Sequence, residues 1–151
     1  MPPTIARADI DAIVRGEHSN PFAVLGPHEA GTSLTIRVFR PNVRGVELVI
    51  GESEKTRPFT RVHVDGFYEI VIADATREDF DYRLRVLWPD GSASDIDDPY
   101  RYGPVLTPFD IHLLGEGTHL QAFNKLGAHT ITHGIRTGVH FAVWAPNARR
   151  V

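Results

Sequence analysis

The sequence predicts an all-β fold in which two antiparallel sheets pack face to face as a sandwich. Between residues 32 and 96, short runs alternate apolar and polar residues with the period of two that is typical of half-buried strands. Asp-Gly pairs follow two of these runs, and the same region shows no helical periodicity. Strands that recur about every ten residues with such turns between them favour an immunoglobulin-like sandwich over a parallel α/β sheet.

A short helix is predicted before the strands, over residues 9–16. Asp9 is placed to cap its N-terminus, because a carboxylate at that position accepts hydrogen bonds from free backbone N–H groups. Ile10, Ile13 and Val14 share one face, and Gly16 suits the position just after a helix. The predicted strands follow at residues 34–38, 46–50, 62–64, 68–72 and 82–88.

The pairs Asp65-Gly66 and Asp90-Gly91 predict tight hairpin turns. In a two-residue type I′ turn both central residues take positive φ, which Asp-Gly tolerates better than most pairs. The sequence therefore predicts such turns after strand 62–64 and after strand 82–88.

Composition and charge limit the partners that the chain can have. Its formal net charge is −3, and no cluster of Lys or Arg suits a nucleic acid or an anionic membrane. The 151 residues include no cysteine, which excludes disulfides and thiolate metal sites. No apolar run approaches the length of a membrane span, and no nucleotide-binding motif is present. We therefore expect a cytoplasmic protein without nucleic-acid, membrane or cofactor partners.

An internal repeat is the most informative feature of the sequence. Residues 36–46 (IRVFRPNVRGV) align with residues 141–151 (FAVWAPNARRV) at an offset of 105 positions. Residues 25–28 (LGPH) align with residues 126–129 (LGAH) at an offset of 101. A four-residue insertion in the second copy, around 132–137, reconciles the two offsets.

The repeat predicts one domain followed by the start of a related one. We expect an N-terminal helical segment (1–18), a β-sandwich (19–110), a connector (111–125) and the truncated start of a second sandwich (126–151). A single strand cannot bury its apolar face alone, so residues from about 139 onward are expected to lack support or to borrow contacts from the first domain.

Several segments resemble bacterial glycogen branching enzymes. They are residues 20–28 (NPFAVLGPH), 38–42 (VFRPN), 97–102 (DDPYRY), 110–119 (DIHLLGEGTH), 126–129 (LGAH) and 141–147 (FAVWAPN). The resemblance implies a modular parent with an N-terminal sandwich, a second sandwich of the glycogen-binding type and a catalytic (β/α)₈ barrel. Such a parent would cut α-1,4-glucan chains and rejoin them through α-1,6 bonds, with its catalytic carboxylates in the barrel and none in this chain.

The resemblance implies glycogen or α-1,4-glucan as the ligand of such a module, along with the other domains of the same polypeptide as partners. Sugar-binding modules stack glucose rings on exposed aromatic side chains. Trp88 at a hairpin tip is therefore a candidate, although it shares parity with the apolar stripe of its strand, and that parity favours a core position over a sugar-binding one. Tyr100 and Tyr102 are further candidates that could instead pack against a neighbouring domain.

Other residues favour structural roles. Trp144 matches Phe39 in the repeat, which predicts a core or interface aromatic. His129 and His133 are four residues apart, but the β-branched residues between them argue against the helix that would align them, and no metal site is predicted. Two functions stay open alongside glucan binding: a purely structural module that packs on neighbouring domains, and a protein-interaction module.

Overall fold

The computed structural model describes residues 5–52, 55–78, 80–133 and 136–148. The chain divides into two compact units, residues 1–103 and 104–151. The first unit contains helix α1 (Arg7–Arg15) and strands β1 (Gly26–Ala30), β2 (Ser33–Phe39), β3 (Gly45–Ile50), β4 (Thr56–Pro58), β5 (Thr60–His63), β6 (Phe67–Ala73), β7 (Tyr82–Leu87) and β8 (Ala93–Ile96). The second contains helix α2 (Pro108–Glu116) and strands β9 (Gly127–His133) and β10 (Arg136–Ala142). Single 3-10 turns occupy Pro21–Ala23, Pro99–Tyr102 and Ala122–Asn124.

Two four-stranded antiparallel sheets build the first unit. Their strand orders are β1-β2-β6-β5 and β4-β3-β7-β8. Side chains that alternate along both sheets meet in one core, where Leu34, Ile36, Leu48 and Leu84 are completely buried. The other buried members of this core are Val38, Val43, Val46, Phe59, Tyr68, Ile70, Ile72, Tyr82 and Val86. The predicted antiparallel β-sandwich is therefore confirmed.

Three strands that the sequence patterns did not predict, β1, β4 and β8, all lie at sheet edges. Pro27 in β1 and Pro58 in β4 have no backbone N–H, which is tolerated where one side of a strand has no partner. Strand β8 is four residues long and mostly polar. Edge strands bury few side chains, so their sequences carry little apolar alternation.

Helix α1 begins at Arg7, two residues before its predicted start. Ala6 is the N-cap residue, so the predicted capping role of Asp9 is wrong and Asp9 lies in the first turn. The helix ends as predicted, because Gly16 takes the left-handed conformation with φ of 69°. Ile10 and Ile13 are buried in a second apolar cluster with Val24, Leu25 and Phe67. Phe67 alternates with core residues along β6, so α1 covers the outer face of the first sheet.

The two Asp-Gly turns differ from the predicted type. Gly66 and Gly91 take positive φ, of 99° and 89°, whereas Asp65 and Asp90 do not. The prediction of type I′ turns is therefore wrong. Beside the first turn, the pairing of β5 with β6 shifts register by one residue, and such a bulge replaces the two-residue turn with a longer one.

Helix α2 of the second unit carries a complete capping box. The Thr107 hydroxyl accepts a 3.1 Å hydrogen bond from the Asp110 backbone N–H, and the Asp110 carboxylate accepts one of 2.8 Å from the Thr107 N–H. The helix continues through Gly115 and ends at Gly117, where φ is 72°. Strands β9 and β10 then form an antiparallel hairpin.

The strand register confirms the internal repeat. Gly26 pairs with Arg37 in the first unit, and their counterparts Gly127 and Ala142 pair with each other in the second. The inserted residues around 132–137 lengthen the second hairpin without changing that register, although 134 and 135 lie outside the described residues. Residues 149–151, which end the second copy in the sequence alignment, also lie outside them.

The structure extends the repeat upstream into the helices. Helices α1 and α2 have nine residues each and lie 101 positions apart, and each ends at a glycine with positive φ. The 3-10 turns at 21–23 and 122–124 keep the same offset. Residues 111–125, expected to form a connector, contain most of helix α2 and the 3-10 turn at 122–124.

Both copies tie the helix to the turn that follows it with one acid and one histidine. His18 Nε2 lies 3.7 Å from an Asp9 carboxylate oxygen. The counterparts His119 and Asp110 approach to 3.0 Å, and both side chains are buried. The same pair of residue types at the same offset shows that the repeat includes side-chain contacts.

Candidate functional site: the Trp88 hairpin and the 97–103 segment

Trp88 is the only exposed aromatic side chain among the described residues of the first unit, with 39% of its surface accessible. It follows Tyr82, Leu84 and Val86, which alternate into the core of β7 and are almost completely buried. Strand β7 ends at Leu87. The alternation of core residues along the strand, which the sequence suggested would include Trp88, therefore stops before Trp88. The structure places this ring at the surface.

Hydrogen bonds hold the Trp88 hairpin in one geometry. The indole Nε1–H donates to the Ser94 hydroxyl at 2.9 Å, and the Trp88 backbone N–H donates to the Ser92 carbonyl at 2.9 Å. Ser92 in turn donates from its N–H and its hydroxyl to the Asp90 carboxylate. Because the indole N–H has a partner, the surface that Trp88 offers to a ligand is the hydrocarbon of the ring.

Ionised carboxylates accompany the ring on the same hairpin. Arg85 donates two hydrogen bonds to Asp95 across β7 and β8, at 2.7 and 2.9 Å, and these bonds lower the pKa of the Asp95 carboxyl. The hydrogen bonds from Ser92 lower the pKa of Asp90 in the same way. Carboxylates accept hydrogen bonds from hydroxyl groups, so the hairpin combines an apolar ring with acceptors that suit a sugar.

Tyr100 is half-buried and takes part in protein contacts. Its ring meets Phe22 edge to face, with 5.0 Å between the ring centroids. Its backbone lies so close to Gly26 that a Cβ on that glycine would stand 2.7 Å from the Tyr100 carbonyl oxygen. Its N–H donates to Asp98 at 3.0 Å. Tyr100 therefore fastens the end of the sandwich to the start of β1.

Tyr102 and Tyr82 lie on either side of Arg101. The Arg101 guanidinium lies 4.9 Å from the Tyr82 ring centroid and 5.5 Å from that of Tyr102. It also donates to the Tyr82 carbonyl and, at 2.9 Å, to Asp81. The Tyr102 hydroxyl donates to Asp97. Sequence analysis missed Arg101, whose signal was its place between two tyrosines and after two acids.

A buried acid completes this segment. The Tyr82 hydroxyl donates a 2.7 Å hydrogen bond to Asp98, which is 2% exposed. Burial raises the pKa of the Asp98 carboxyl, since a charged group loses its hydration there. Burial and the neighbouring Asp98 also raise the pKa of Tyr82. These contacts fasten residues 97–103 to the first strand position of β7.

The structure separates Trp88 from the two tyrosines. Arg101 binds Tyr82 at the beginning of β7, whereas Trp88 follows the end of that strand. Six residues of extended strand span roughly 20 Å. Trp88 therefore cannot share one glucose ring with Tyr100 or Tyr102.

The aromatic residues of the second unit are more exposed than those of the first. Trp144 is 41% exposed, and Phe109, Phe123 and Phe141 are between 67% and 74% exposed. Trp144 thus lies at the surface of this unit, whereas its counterpart Phe39 is half-buried against the α1 cluster.

A shallow groove of about 490 Å³ is lined by residues of β5 and β6 in the first sheet and of β4 in the second. It is lined by Arg57, Pro58, Thr60, Val62, Glu69, Ile70 and Val71. These lining residues offer no aromatic ring, so the groove lacks the stacking surface that a glucan prefers.

Two carboxylates are buried among the described residues, and both have structural partners. Asp98 accepts from Tyr82 and from the Tyr100 N–H. Asp110 accepts from Thr107 and His119 and lies 3.3 Å from the Lys125 ammonium, and these interactions hold its pKa well below the usual range. In the parts of the chain that the structure describes, no group of three or more His, Cys, Asp or Glu side chains is placed to hold a metal ion.

Residues 6–100 match the family model described as the N-terminal domain of the alpha-1,4-glucan branching enzyme GlgB. The chain belongs to this family. Relatives named 1,4-alpha-glucan branching enzyme GlgB match nearly its whole length. The protein from Paramagnetospirillum magneticum is 46% identical over 97% of the chain and 19% of its own length. The protein from Rhizobium meliloti is 44% identical over 99% of the chain and 20% of its own length.

The chain thus spans about a fifth of the length of the curated relatives that it matches. Among solved structures, apo pullulanase from Paenibacillus barengoltzii is similar with a TM-score of 0.43 and 21% identity, over 60% of this chain and 16% of that one. A similarity of that size carries no argument about fold or function. Within the described ranges, no helix has the length and apolar character needed to cross a membrane.

Proposed function

We propose that the chain is the N-terminal, non-catalytic part of a glycogen branching enzyme, which transfers α-1,4-glucan segments to form α-1,6 branches. Relatives that carry this name match 93–97% of the chain at 40–46% identity. The remaining four-fifths of such a protein would contain the catalytic domain and would be the principal partner of this module.

The described residues support a role without catalysis. Retaining glycosyl transfer needs two carboxyl groups about 5 Å apart, one as nucleophile and one as acid and base. Asp98 and Asp110, the two buried acids among the described residues, each accept structural hydrogen bonds on both carboxylate oxygens. Neither leaves an oxygen free for a sugar.

The exposed Trp88 ring is the observation that supports glucan binding by the first unit. The ring is half exposed, held by its bond to Ser94, and accompanied by the ionised Asp90. A glucan chain that stacks there would bind weakly, but tethering raises the effective concentration of chains near a distant active site. The module would in this way influence the length of the chains that are transferred.

A structural role is the alternative, and the 97–103 segment favours it. The rings of Tyr100 and Tyr102 already contact Phe22 and Arg101, so little of either ring is available for stacking on sugar. On this alternative the sandwich would support the neighbouring domains and would not contact glucan.

We also infer an immunoglobulin-like topology and a second sandwich. If β1 to β8 are lettered A, B, C, C′, D, E, F and G, the sheets read ABED and C′CFG, the order of immunoglobulin domains.

The second sandwich is inferred from exposed residues of the second unit. Val139, Phe141 and Val143, which are 55–74% exposed, correspond at an offset of 105 to the buried residues Leu34, Ile36 and Val38. Residues 126–151 would therefore contribute the first strands to the core of a second sandwich. The whole protein would act in the cytoplasm, where glycogen is made.

Affinity electrophoresis of residues 1–151 in gels with and without glycogen tests the glucan proposal. We expect glycogen to retard the chain and Trp88→Ala to remove most of that retardation. Val64→Ala, which truncates another exposed residue of the first unit, is the matched control and should migrate like the unchanged chain. Retardation that survives Trp88→Ala but not Trp144→Ala would assign binding to the second unit. Migration that glycogen does not affect would favour the structural alternative.

A further inference from the structure

Helix α2 and the turn after it expose apolar residues whose counterparts in the first unit are covered. Ile10 of α1 is 3% exposed, whereas its counterpart Ile111 of α2 is 50% exposed. Phe22 is half-buried against Tyr100, whereas its counterpart Phe123 is 71% exposed. The residue types agree, so the difference lies in what surrounds them.

Two residues that come later in the chain provide the cover in the first unit. Phe67 of β6 is completely buried in the cluster that contains Ile10. Tyr100 packs against the same cluster and against the ring of Phe22. Both follow the β1–β2 hairpin in sequence, so that hairpin and its helix are completed by later elements.

The framework that presents this surface is the same in both units. Helix, left-handed glycine, 3-10 turn and hairpin recur at one offset and in one register. In the second unit, Lys125 binds Asp110 at 3.3 Å, which places the helix start beside the turn. In the first unit, the counterpart Val24 packs in the cluster with Ile10. The helix therefore lies against the turn in the same way.

We propose that Ile111, Phe123 and Trp144, which we term the α2 face, dock a later segment of the same polypeptide that lies outside residues 1–151. This segment would supply counterparts of Phe67 and Tyr100. Trp144 belongs to the face because its counterpart Phe39 packs against the α1 cluster. The inference rests on the proposed function, in that it requires the chain to be part of a longer branching enzyme.

The length of the relatives and the order of the repeat identify the occupant. The chain covers only about a fifth of each relative, so four-fifths of such a polypeptide lies outside it. Phe67 lies 28 positions after Phe39. The corresponding aromatic residue would therefore lie 28 positions after Trp144, just outside the 151 residues. A strand there would pair beside β10 as β6 pairs beside β2.

The docked segment would also decide which surface of the second module can meet a ligand. Helix α1 and its cluster cover part of the outer face of the first sheet. If α2 covers the equivalent face in the second module, a glucan chain must bind elsewhere on it. The α2 face would then be an interface inside the protein and would contribute nothing to sugar binding.

Hydrogen–deuterium exchange of the 108–124 peptide, compared between residues 1–151 and the full-length polypeptide, tests the proposal. We expect amides of α2 to exchange at least tenfold more slowly in the full-length protein. Ile111→Asn should restore fast exchange there, yet leave the melting of residues 1–151 unchanged because the side chain is already half exposed. Phe109→Ser is the matched control, since the counterpart Ala8 is exposed in the first unit, and it should leave the protection intact.

Equal exchange in the two proteins would overturn the proposal, as would equal loss of protection with Ile111→Asn and Phe109→Ser. A dimer of residues 1–151 that Ile111→Asn dissociates in sedimentation would make a second copy the occupant and would overturn it too. The glucan proposal is tested on the same preparations by the effect of Trp88→Ala on glycogen retardation, and Trp88 is not part of the α2 face. The docking and glucan proposals can therefore fail separately.

Discussion

His28 and His129 lie 101 positions apart, and each directs its Nε2 at the carbonyl oxygen of the leucine three residues before it, at 3.2 and 2.8 Å. Each therefore closes the turn that precedes the first strand of its unit. Burial lowers the pKa of His28, whereas the hydrogen bond that its ring donates to the Leu25 carbonyl raises it; burial is the larger effect. The equivalence makes paired experiments possible, in which one substitution is placed at both copies and only the surroundings differ.

Gly26→Ala and Gly127→Ala form such a pair. Both glycines have positive φ, of 85° and 96°, so an alanine is strained at either position by about 1 kcal/mol. Only at Gly26 would the added Cβ also meet the Tyr100 backbone, 2.7 Å from its carbonyl oxygen, whereas nothing lies within 4 Å at Gly127. We expect Gly26→Ala to lower the free energy of unfolding of the first unit by about 3 kcal/mol or more, since backbone cannot move away cheaply.

Urea unfolding followed by Trp88 fluorescence, in a Trp144→Phe background, measures the first unit separately. Gly127→Ala should leave that transition unchanged. Equal midpoints for wild type and Gly26→Ala would show that Tyr100 does not close on Gly26.

Tyr82→Phe should destabilise the first unit by about 2 kcal/mol, because it leaves the buried Asp98 carboxyl without one hydrogen-bond donor. Tyr102→Phe removes a hydroxyl of the same kind from the more exposed Asp97 and should cost about 1 kcal/mol or less. The same fluorescence-monitored unfolding compares them. If both substitutions lowered the free energy of unfolding equally, burial of Asp98 would not be the reason that the Tyr82 hydrogen bond stabilises the unit.

Arg101→Lys should not preserve the 97–103 segment. The guanidinium bonds a carbonyl and a carboxylate while it stacks on two rings, and an ammonium cannot adopt that planar arrangement. We expect a loss of about 2 kcal/mol in the unfolding of the first unit, within the range for a broken buried network.

Arg85→Lys is the control for Arg101→Lys, because the Arg85 side chain is more exposed than that of Arg101 and its pair with Asp95 should contribute about 1 kcal/mol or less. Proteolysis adds an independent readout, since loss of the Arg101 contacts should open residues 97–103 to cleavage. Resistance equal to wild type would contradict the assigned role.

Asp98 and Asp110 should titrate on opposite sides of the usual aspartate pKa of about 3.9. Asp110 has a lowered pKa, so its contribution to stability is present above that value and is lost as pH falls below it. Asp98 has a raised pKa, so the fold favours its protonated form, and its contribution declines as pH rises above that value. Carboxyl-carbon NMR titration measures both directly. Thr107→Ala should raise the pKa of Asp110 and leave the pKa of Asp98 unchanged. If the substitution left the pKa of Asp110 unchanged as well, the assignment of the capping box would be wrong.

Sequence patterns sufficed for the sandwich because several of its strands alternate buried with partly exposed residues. In β7 the buried Tyr82, Leu84 and Val86 alternate with partly exposed residues, and period two follows from that burial. Edge strands bury less, which is why β1 and β4 left only their prolines as a signal. The Asp9 cap was mispredicted since a good capping residue two positions inside the helix looks the same in sequence as one at its start.

The candidate site was predicted less completely than the fold. The alternation of apolar residues could not show whether Trp88 is buried or exposed. Trp88 continues the alternation of the core residues in sequence, but it lies beyond the end of their strand. The contacts of Tyr100 and Tyr102 depend on Gly26 and Arg101, which are distant or unremarkable in sequence. A repeat search that began at the helices would have found Asp9 with Asp110 and His18 with His119, all at the offset already known from LGPH and LGAH.

The contacts of residues 97–103 also have a mechanical meaning. A chain pulled at residue 104 would transmit its load first to Arg101, Asp98 and Tyr100, which are anchored on Tyr82 and Gly26. Gly26 lies in a strand of the first sheet and Tyr82 in a strand of the second, so both sheets would resist the pulling force together. Residues 97–103 are therefore a firmly anchored end of the first unit, and resistance of that unit to a pulling force would depend on both of its sheets.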